Sequence, residues 1–270
     1  MATEAVNPSR LDAVWSRRRI LQLLITRDLK VKYAGSVLGY FWSVLEPLML
    51  AGIYWVVFTK LMRRQVGEEP YIVFLLAAML PWQWANASLR ASMRALSKDA
   101  KLVRSTSLPR EIWVLRTVGS RMMEFLFSLP VLAAFAIATG AHLTWYAIFF
   151  PLAMVLQMLL LLGLGLLLAP VAVLYSDVER LITVLLRLLF YFSPILYGVH
   201  DISNRLGSTI AKLYILNPFA GILDLYRTAF FAEEWAGWGA VAVSAAISLL
   251  LLAIGVRVFR RLEGAVLKEI

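Results

Sequence analysis

The sequence predicts an all-α membrane protein in which several helices cross the bilayer. Of its 270 residues, 61% are hydrophobic and only 16% are charged, and the mean hydropathy is +0.75. A soluble globule of this size would need more polar surface than this composition offers. Crossing the hydrocarbon layer takes about 20 apolar residues. Six segments reach spanning length, namely residues 36–59, 71–89, 112–140, 145–174, 181–199 and 235–259.

The predicted fold is therefore polytopic, with six transmembrane helices, an N-terminal amphipathic interface helix and short outer re-entrant helices. Its net charge of +10 reflects topology rather than nucleic-acid binding, because the basic residues lie between apolar spans. Placing both termini in the cytoplasm puts most of the 27 Lys and Arg residues on the cytoplasmic side. We expect a multi-pass protein of the cytoplasmic (inner) membrane with no nucleic-acid partner.

The chain is predicted to consist of a cytoplasmic region, residues 1–34, and a six-span transmembrane region, residues 35–270. Leu21, Ile25 and Leu29 fall on one face of a helix, and arginines occupy the opposite face. This pattern is typical of a helix that lies flat on the cytoplasmic surface. A simple lipid anchor without any ligand explains the pattern equally well.

Basic residues continue from this segment to the mouth of the first span. Arg27, Lys30 and Lys32 lie just outside it, at the depth of anionic head groups or phosphates. Gly35 and Gly39 relax the backbone immediately after them. We predict that the basic residues contact a phosphate-bearing ligand, whereas a purely topological role is the alternative.

Glu46 lies about ten residues inside the first predicted span. A carboxylate at this depth is costly to bury and is a functional hypothesis in itself. Its candidate partners are Arg90, Arg116 and Arg187, each near the cytoplasmic end of another span. Helix packing and direct contact with a substrate or proton are both open roles for it.

The largest cytoplasmic loop, residues 91–111, contains several cations. Ser97 is predicted to cap a short helix, and Pro109 to break the chain before the next span. A basic helix-break-helix segment suits the docking of a soluble partner, although a solvated loop of the positive-inside type has the same charge. The candidate docking residues are Ser97, Lys101, Arg104 and Arg110.

The outer segment, residues 200–234, is not uniformly polar. Asn217 can cap a short helix that begins with Pro218. This helix is too short to span, so it must rest against protein at membrane depth. Asp224 and Arg227, three residues apart, are predicted to pair locally.

Aromatic side chains recur at helical spacing on the first and fifth predicted spans. Their rings stack on sugar faces, and tyrosine hydroxyls can bond to sugar hydroxyls, so such a lining could pass a glycan. Anchoring at the membrane interface is the alternative. The candidate channel residues are Tyr40, Tyr54, Phe58, Phe190 and Tyr197.

The sequence contains no motif of an enzyme. A GxxxxGK[ST] phosphate loop, an HExxH pair, a nucleophile elbow and an aspartate-rich repeat are all missing. With no cysteine and only two histidines, no metal site is expected either. No catalytic residue is assigned. A membrane-embedded glycosyl or acyl transferase is a rival interpretation, but the scattered acids do not form its constellation.

Four motifs occur in order along nearly the whole chain: RDLKVKYAGSVLGYFWSVLEPLML, LPRE, YFSPILY and LNPFAGILDLYR. Together they resemble the permease subunits of type-2 ABC polysaccharide exporters, the Wzm-like and teichoic-acid-exporter group. The resemblance implies an exporter of a polyprenyl-diphosphate-linked glycan of the O-antigen, teichoic acid or cell-wall galactan type. A related permease for a drug or a lipid is the alternative.

The same resemblance implies a homodimer that works with two copies of a separate ATPase, which would bind ATP and Mg²⁺. No cofactor is expected on this chain. It also implies that residues 10–25 form the interface helix, that Arg27, Lys30, Lys32 and Tyr33 belong to a gate near the diphosphate, and that residues 97–110 form the coupling helix. Glu46 stands where the resemblance would more often imply asparagine or another polar residue. The resemblance therefore says least about the role of Glu46.

Overall fold

The computed structural model describes residues 16–36, 39–61, 67–198, 214 and 216–270, and every regular element in these ranges is helical. Residues 10–15 of the predicted interface helix and most of residues 200–216 lie outside the described residues. The α-helices are α1 Arg18–Tyr33, α2 Trp42–Trp55, α3 Tyr71–Met93, α4 Ala100–Ser105, α5 Glu111–Thr139, α6 Phe150–Leu174, α7 Asp177–Phe192, α8 Pro218–Thr228 and α9 Trp238–Glu269.

Within the described ranges, four helices are long and apolar enough to cross a membrane. They are α3, α5, α6 together with its preceding 3₁₀ turn Trp145–Phe149, and α9. These correspond to the second, third, fourth and sixth predicted spans. At the first and fifth predicted spans the structure has α2, of 14 residues and continued by a π-helical turn Val56–Leu61, and α7, of 16 residues.

The centre of the bundle is α3. Its residues from Val73 to Trp82 are nearly all buried, because α2, α5, α6, α7 and α8 pack around it. The other long helices expose apolar side chains instead; Ile137 on α5, for example, is 81% exposed. Such surfaces suit contact with hydrocarbon, so α3 forms the interior and its neighbours the perimeter.

The closest helix pair is α6 with α9. Gly163 on α6 lets the two backbones approach, since a Cβ atom there would lie 2.5 Å from the backbone nitrogen of Leu252. Gly255 on α9 faces the Gly163 carbonyl in the same way. Small residues at a crossing are a common device for packing membrane helices, which otherwise gain nothing by leaving lipid.

The short outer helix α8 begins as predicted. The Asn217 side chain accepts a hydrogen bond from the backbone N–H of Phe219 at 3.0 Å, and Pro218 occupies the first helical position. All its residues after Pro218 are buried against α3, α6 and α9.

The predicted pairing of Asp224 with Arg227 is wrong. Arg227 is fully buried and donates to three main-chain carbonyls, those of Ile195 at 2.6 Å, Tyr197 at 2.8 Å and Phe74 at 3.4 Å. Neither carboxylate oxygen of Asp224 accepts a hydrogen bond. Burial raises the pKa of Asp224 well above its ordinary value, which the nearby positive charge of Arg227 only partly opposes. Arg227 binds the main chain rather than Asp224 because three carbonyl oxygens converge on its guanidinium.

Candidate functional site

The end of α1 is held to α5 by a compact ion cluster. Lys32 Nζ donates to both carboxylate oxygens of Glu124 at 2.8 Å. Arg121 donates to the same two oxygens at 2.8 and 3.0 Å. Desolvation lowers the pKa of Lys32, and the hydrogen bond to Glu124 opposes this shift. One carboxylate therefore neutralises part of two positive charges.

Three cavities adjoin along this region. The lysine cavity, of about 180 Å³, is lined by Lys32, Tyr33, Trp42, Glu46, Arg121 and Glu124 among others. The arginine cavity, of about 440 Å³, contains Arg90 and Arg187, and the loop cavity, of about 210 Å³, contains Asp28, Lys98 and Arg116.

These cavities share walls. Lys32, Arg121 and Glu124 line both the loop cavity and the lysine cavity. Glu46 and Gln83 line both the lysine cavity and the arginine cavity. A series of neighbouring cavities that share lining residues therefore extends from the loop of residues 91–111, past the end of α1, to the space between α2, α3 and α7.

The arginine cavity combines cations with aromatic rings. Tyr54 on α2 stacks on Phe190 on α7, with ring centroids 6.1 Å apart, and Trp82 lies 6.0 Å from the same phenylalanine. Arg90 and Arg187 line the cavity without a hydrogen bond or an ion pair to any described residue. Guanidinium groups beside aromatic faces can bind a phosphorylated sugar.

Glu46 lies between the two cavities. It forms no ion pair within the described part of the chain, although Arg90 and Arg187 share the arginine cavity with it. Arg116, the third predicted partner, is excluded because it binds other carboxylates.

Arg116 joins α5 to two other segments. Its side chain is 3% exposed and lies 2.8 Å from Asp28 on α1 and 2.6 Å from Asp99 at the start of α4. A single buried guanidinium thus connects the loop of residues 91–111 to the helix that bears Lys32. Asp28 and Asp99 are 26% and 14% exposed, so water reaches both carboxylates.

The loop of residues 91–111 follows the prediction in outline and differs in detail. A short helix, α4, is present, and α5 begins at Glu111 after the break at Pro109. Ser97 does not cap α4, because the N-cap position is Asp99 and the Ser97 hydroxyl donates to the carbonyl of Arg94 at 3.4 Å.

The other candidate docking residues of the loop differ in exposure. Lys101 and Arg104 are exposed. Arg110 lies 3.8 Å from Glu263 on α9 and is only partly exposed. Arg94 forms an ion pair with Glu179 on α7.

Not all predicted ligand residues come together. Lys32 and Tyr33 line the lysine cavity, whereas Arg27 and Lys30 are exposed and line none of these cavities. They project from other faces of α1 because four residues of a helix cover its whole circumference.

The predicted aromatics divide in the same way. Tyr54 and Phe190 line the arginine cavity. Phe58 packs against Tyr71, and the Tyr197 hydroxyl donates to the Tyr191 carbonyl at 2.6 Å. The side chain of Tyr40 lies outside the described residues. Trp82 and Tyr191, which also line the cavity, were not predicted.

Sequence reasoning also missed Arg121 and Glu124. Both lie within the third predicted span, three residues apart, so the rule that singled out Glu46 applies to them equally. Asp28 and Asp99 carried no comparable signal, because their partner is distant in sequence.

A bundle of apolar helices around charged and aromatic-lined cavities has the construction of a transport permease. The chain belongs to the ABC-2 type transporter family, whose family model matches residues 19–231.

Three relatives within this family have names that describe the export or transport of a polysaccharide. The chain is 28% identical to the O-antigen export system permease protein RfbA of Myxococcus xanthus, over 88% of this chain and 90% of that one. It is 29% identical to RfbA of Klebsiella pneumoniae, over 90% and 92% of the two chains. The polysialic acid transport protein KpsM of Escherichia coli is 24% identical, over 92% and 95%.

Proposed function

We propose that this chain is the transmembrane subunit of an ATP-driven exporter that moves a polyprenyl-diphosphate-linked polysaccharide outward across the cytoplasmic membrane. The observation that carries the proposal is the series of adjoining cavities from the end of α1 to the aromatic wall of α2 and α7. Cations suit the diphosphate and aromatic rings suit the sugars that follow it. The names of the relatives support the polysaccharide cargo.

ATP and Mg²⁺ belong to a separate ATPase in this proposal, with two copies serving a homodimer of the chain. The segment from Ser97 to Arg110 is the docking element, and α4 exposes Lys101 and Arg104 there. Arg116 supports a coupling role, because it connects Asp99 at the start of α4 to Asp28 on α1. Movement of α4 would therefore be transmitted to the helix that bears Lys32.

The proposed topology has six spans with both termini in the cytoplasm. Helices α2 and α7 supply the first and fifth spans, and the basic amphipathic α1 lies along the cytoplasmic interface. The buried helix α8 is the outer re-entrant element. Exposed apolar side chains on α2 and α7 suit the inner faces of a dimer channel.

Copurification with the product of an adjacent ATPase gene, followed by deletion of this chain's gene, tests the proposal. We expect a stable complex that hydrolyses ATP, and cells without the chain should accumulate lipid-linked polysaccharide inside. ATP hydrolysis by the chain alone, or an unchanged surface polysaccharide in the deletion strain, would contradict it. Accumulation of a lipid without sugar would instead identify a lipid exporter.

A further inference from the structure

Helix α7 exposes an apolar stripe that contains one cation. Val184, Leu188 and Tyr191 are 53%, 49% and 59% exposed, and Arg187 lies on the same face at helical spacing. Arg187 is the eleventh of the 16 residues of α7, which is deeper than the sequence predicted, and a charged guanidinium within a spanning helix cannot face hydrocarbon without a large cost. This stripe must therefore border a space that holds water or a polar ligand.

Helix α2 has the matching feature with the opposite charge. Met49, Leu50 and Ile53 are 58%, 36% and 56% exposed, and Glu46 precedes them on the same face. The arginine cavity lies between the two helices and is lined by Glu46, Leu50, Arg187 and Tyr191. Its location explains how both charges remain solvated at membrane depth.

The two neighbouring cavities differ in their balance of charge. The lysine cavity has two cations, Lys32 and Arg121, and two acids, Glu46 and Glu124. The arginine cavity has two cations and only Glu46 as an acid. An anion therefore gains more from the arginine cavity than from the lysine cavity.

The chemistry of the unpaired cations identifies the ligand. Arg90 and Arg187 make no hydrogen bond or ion pair to any described residue, so their planar donor forks remain available. Two such forks suit a diphosphate, which offers several oxygens for bidentate contacts. Tyr54, Phe190 and Trp82 line the same cavity as the two arginines, where the first sugar would follow.

We infer that Arg90 and Arg187 hold the diphosphate of the cargo, and that Glu46, on the wall shared with the lysine cavity, limits this affinity so that the diphosphate is released. The inference rests on the proposed function and locates its substrate contact. Lys32 then serves entry rather than retention. Removing the arginines and removing the acid should have opposite effects on binding.

The test measures equilibrium binding of radiolabelled farnesyl diphosphate to the permease–ATPase complex in phosphatidylcholine nanodiscs. Arg90→Gln and Arg187→Gln should each weaken binding roughly ten- to a hundredfold, as loss of a charge-assisted contact implies. Glu46→Gln should tighten binding roughly tenfold and slow export. Arg180→Gln, at an exposed arginine of α7 that lines no described cavity, is the matched control and should bind as wild type does.

Correct folding of each variant is checked by copurification with the ATPase, and Arg187→Lys, which retains charge, should keep part of the affinity. Unchanged binding in the folded double variant Arg90→Gln/Arg187→Gln, or a greater loss in Lys32→Gln, would overturn the inference. Equal competition by nanodisc phosphatidylglycerol would assign the cavity to anionic phospholipid and also overturn it. If wild type bound no farnesyl diphosphate while gene deletion still blocked polysaccharide export, this inference would fail and the proposed function would stand.

Discussion

Replacing Arg116 with glutamine should remove the ion pairs that join the loop of residues 91–111 to α1. The variant leaves Asp28 and Asp99 facing each other without the guanidinium that now lies 2.8 and 2.6 Å from them. Loss of one partner from a fully buried pair costs about 3–5 kcal/mol. Because water reaches both aspartates, we expect about 2–4 kcal/mol here.

This loss is large compared with the free energy that holds a loop in one position. About 3 kcal/mol changes the ratio of connected to disconnected loop by roughly a hundredfold. We therefore expect the Arg116→Gln complex to hydrolyse ATP at a rate that no longer depends on cargo, while export falls at least tenfold. Arg116→Lys keeps the charge and one contact, so it should lie between glutamine and wild type.

The assay compares ATPase activity and polysaccharide export for the same complex, with its thermal unfolding midpoint as a third measurement. Arg260→Gln removes an exposed arginine on α9 and controls for the loss of charge. A lower midpoint with normal coupling would mean that Arg116 only stabilises the bundle. Wild-type values for stability and for coupling together would refute the reasoning about this ion cluster.

Three further predictions concern entry, packing and the outer helix. Lys32→Gln, which breaks the bond to Glu124 at the lysine cavity, should reduce export more than Lys30→Gln at an exposed position; equal losses, or misinsertion of both, would favour a topological role. Gly163→Ala should cost about 1–3 kcal/mol by separating α6 from α9, whereas Gly264→Ala, with open space around it, should be neutral or slightly stabilising in thermal unfolding. Arg227→Met leaves three carbonyls without their shared donor and should cost about 3 kcal/mol or more; an unchanged unfolding midpoint would contradict its structural role.

Features that depend on neighbouring residues were predictable from the sequence. Asn217 caps α8 because its side chain reaches an N–H two residues away, and Pro109 ends one segment because its ring excludes a continuing helix. The apolar runs likewise indicated α3, α5, α6 and α9, because burial in lipid requires an uninterrupted stretch.

Features that depend on the approach of distant helices were not predictable. The sequence offers several acids as possible partners of Arg116. Only the packing of α1 against α5 brings Asp28 to it. The local guess for Arg227 failed for the same reason, since its acceptors come from α3 and from the segment after α7. Lys32 and Glu124 each had a signal in the sequence, as a basic residue before a span and an acid within a span, but only the packing of α1 against α5 shows that they pair.

The setting of Arg227 also bears on how the protein is made. Its three carbonyl acceptors, on Phe74, Ile195 and Tyr197, all precede it in the chain, so a ribosome delivers them first. The arginine therefore emerges when its receptor already exists in the nascent bundle, and it need not wait in lipid as an unpaired charge. In the described part of the chain, α9 is made after Arg227 and packs against α8. A substitution that displaces the Ile195 carbonyl would therefore take effect late in biogenesis, when α9 packs against α8.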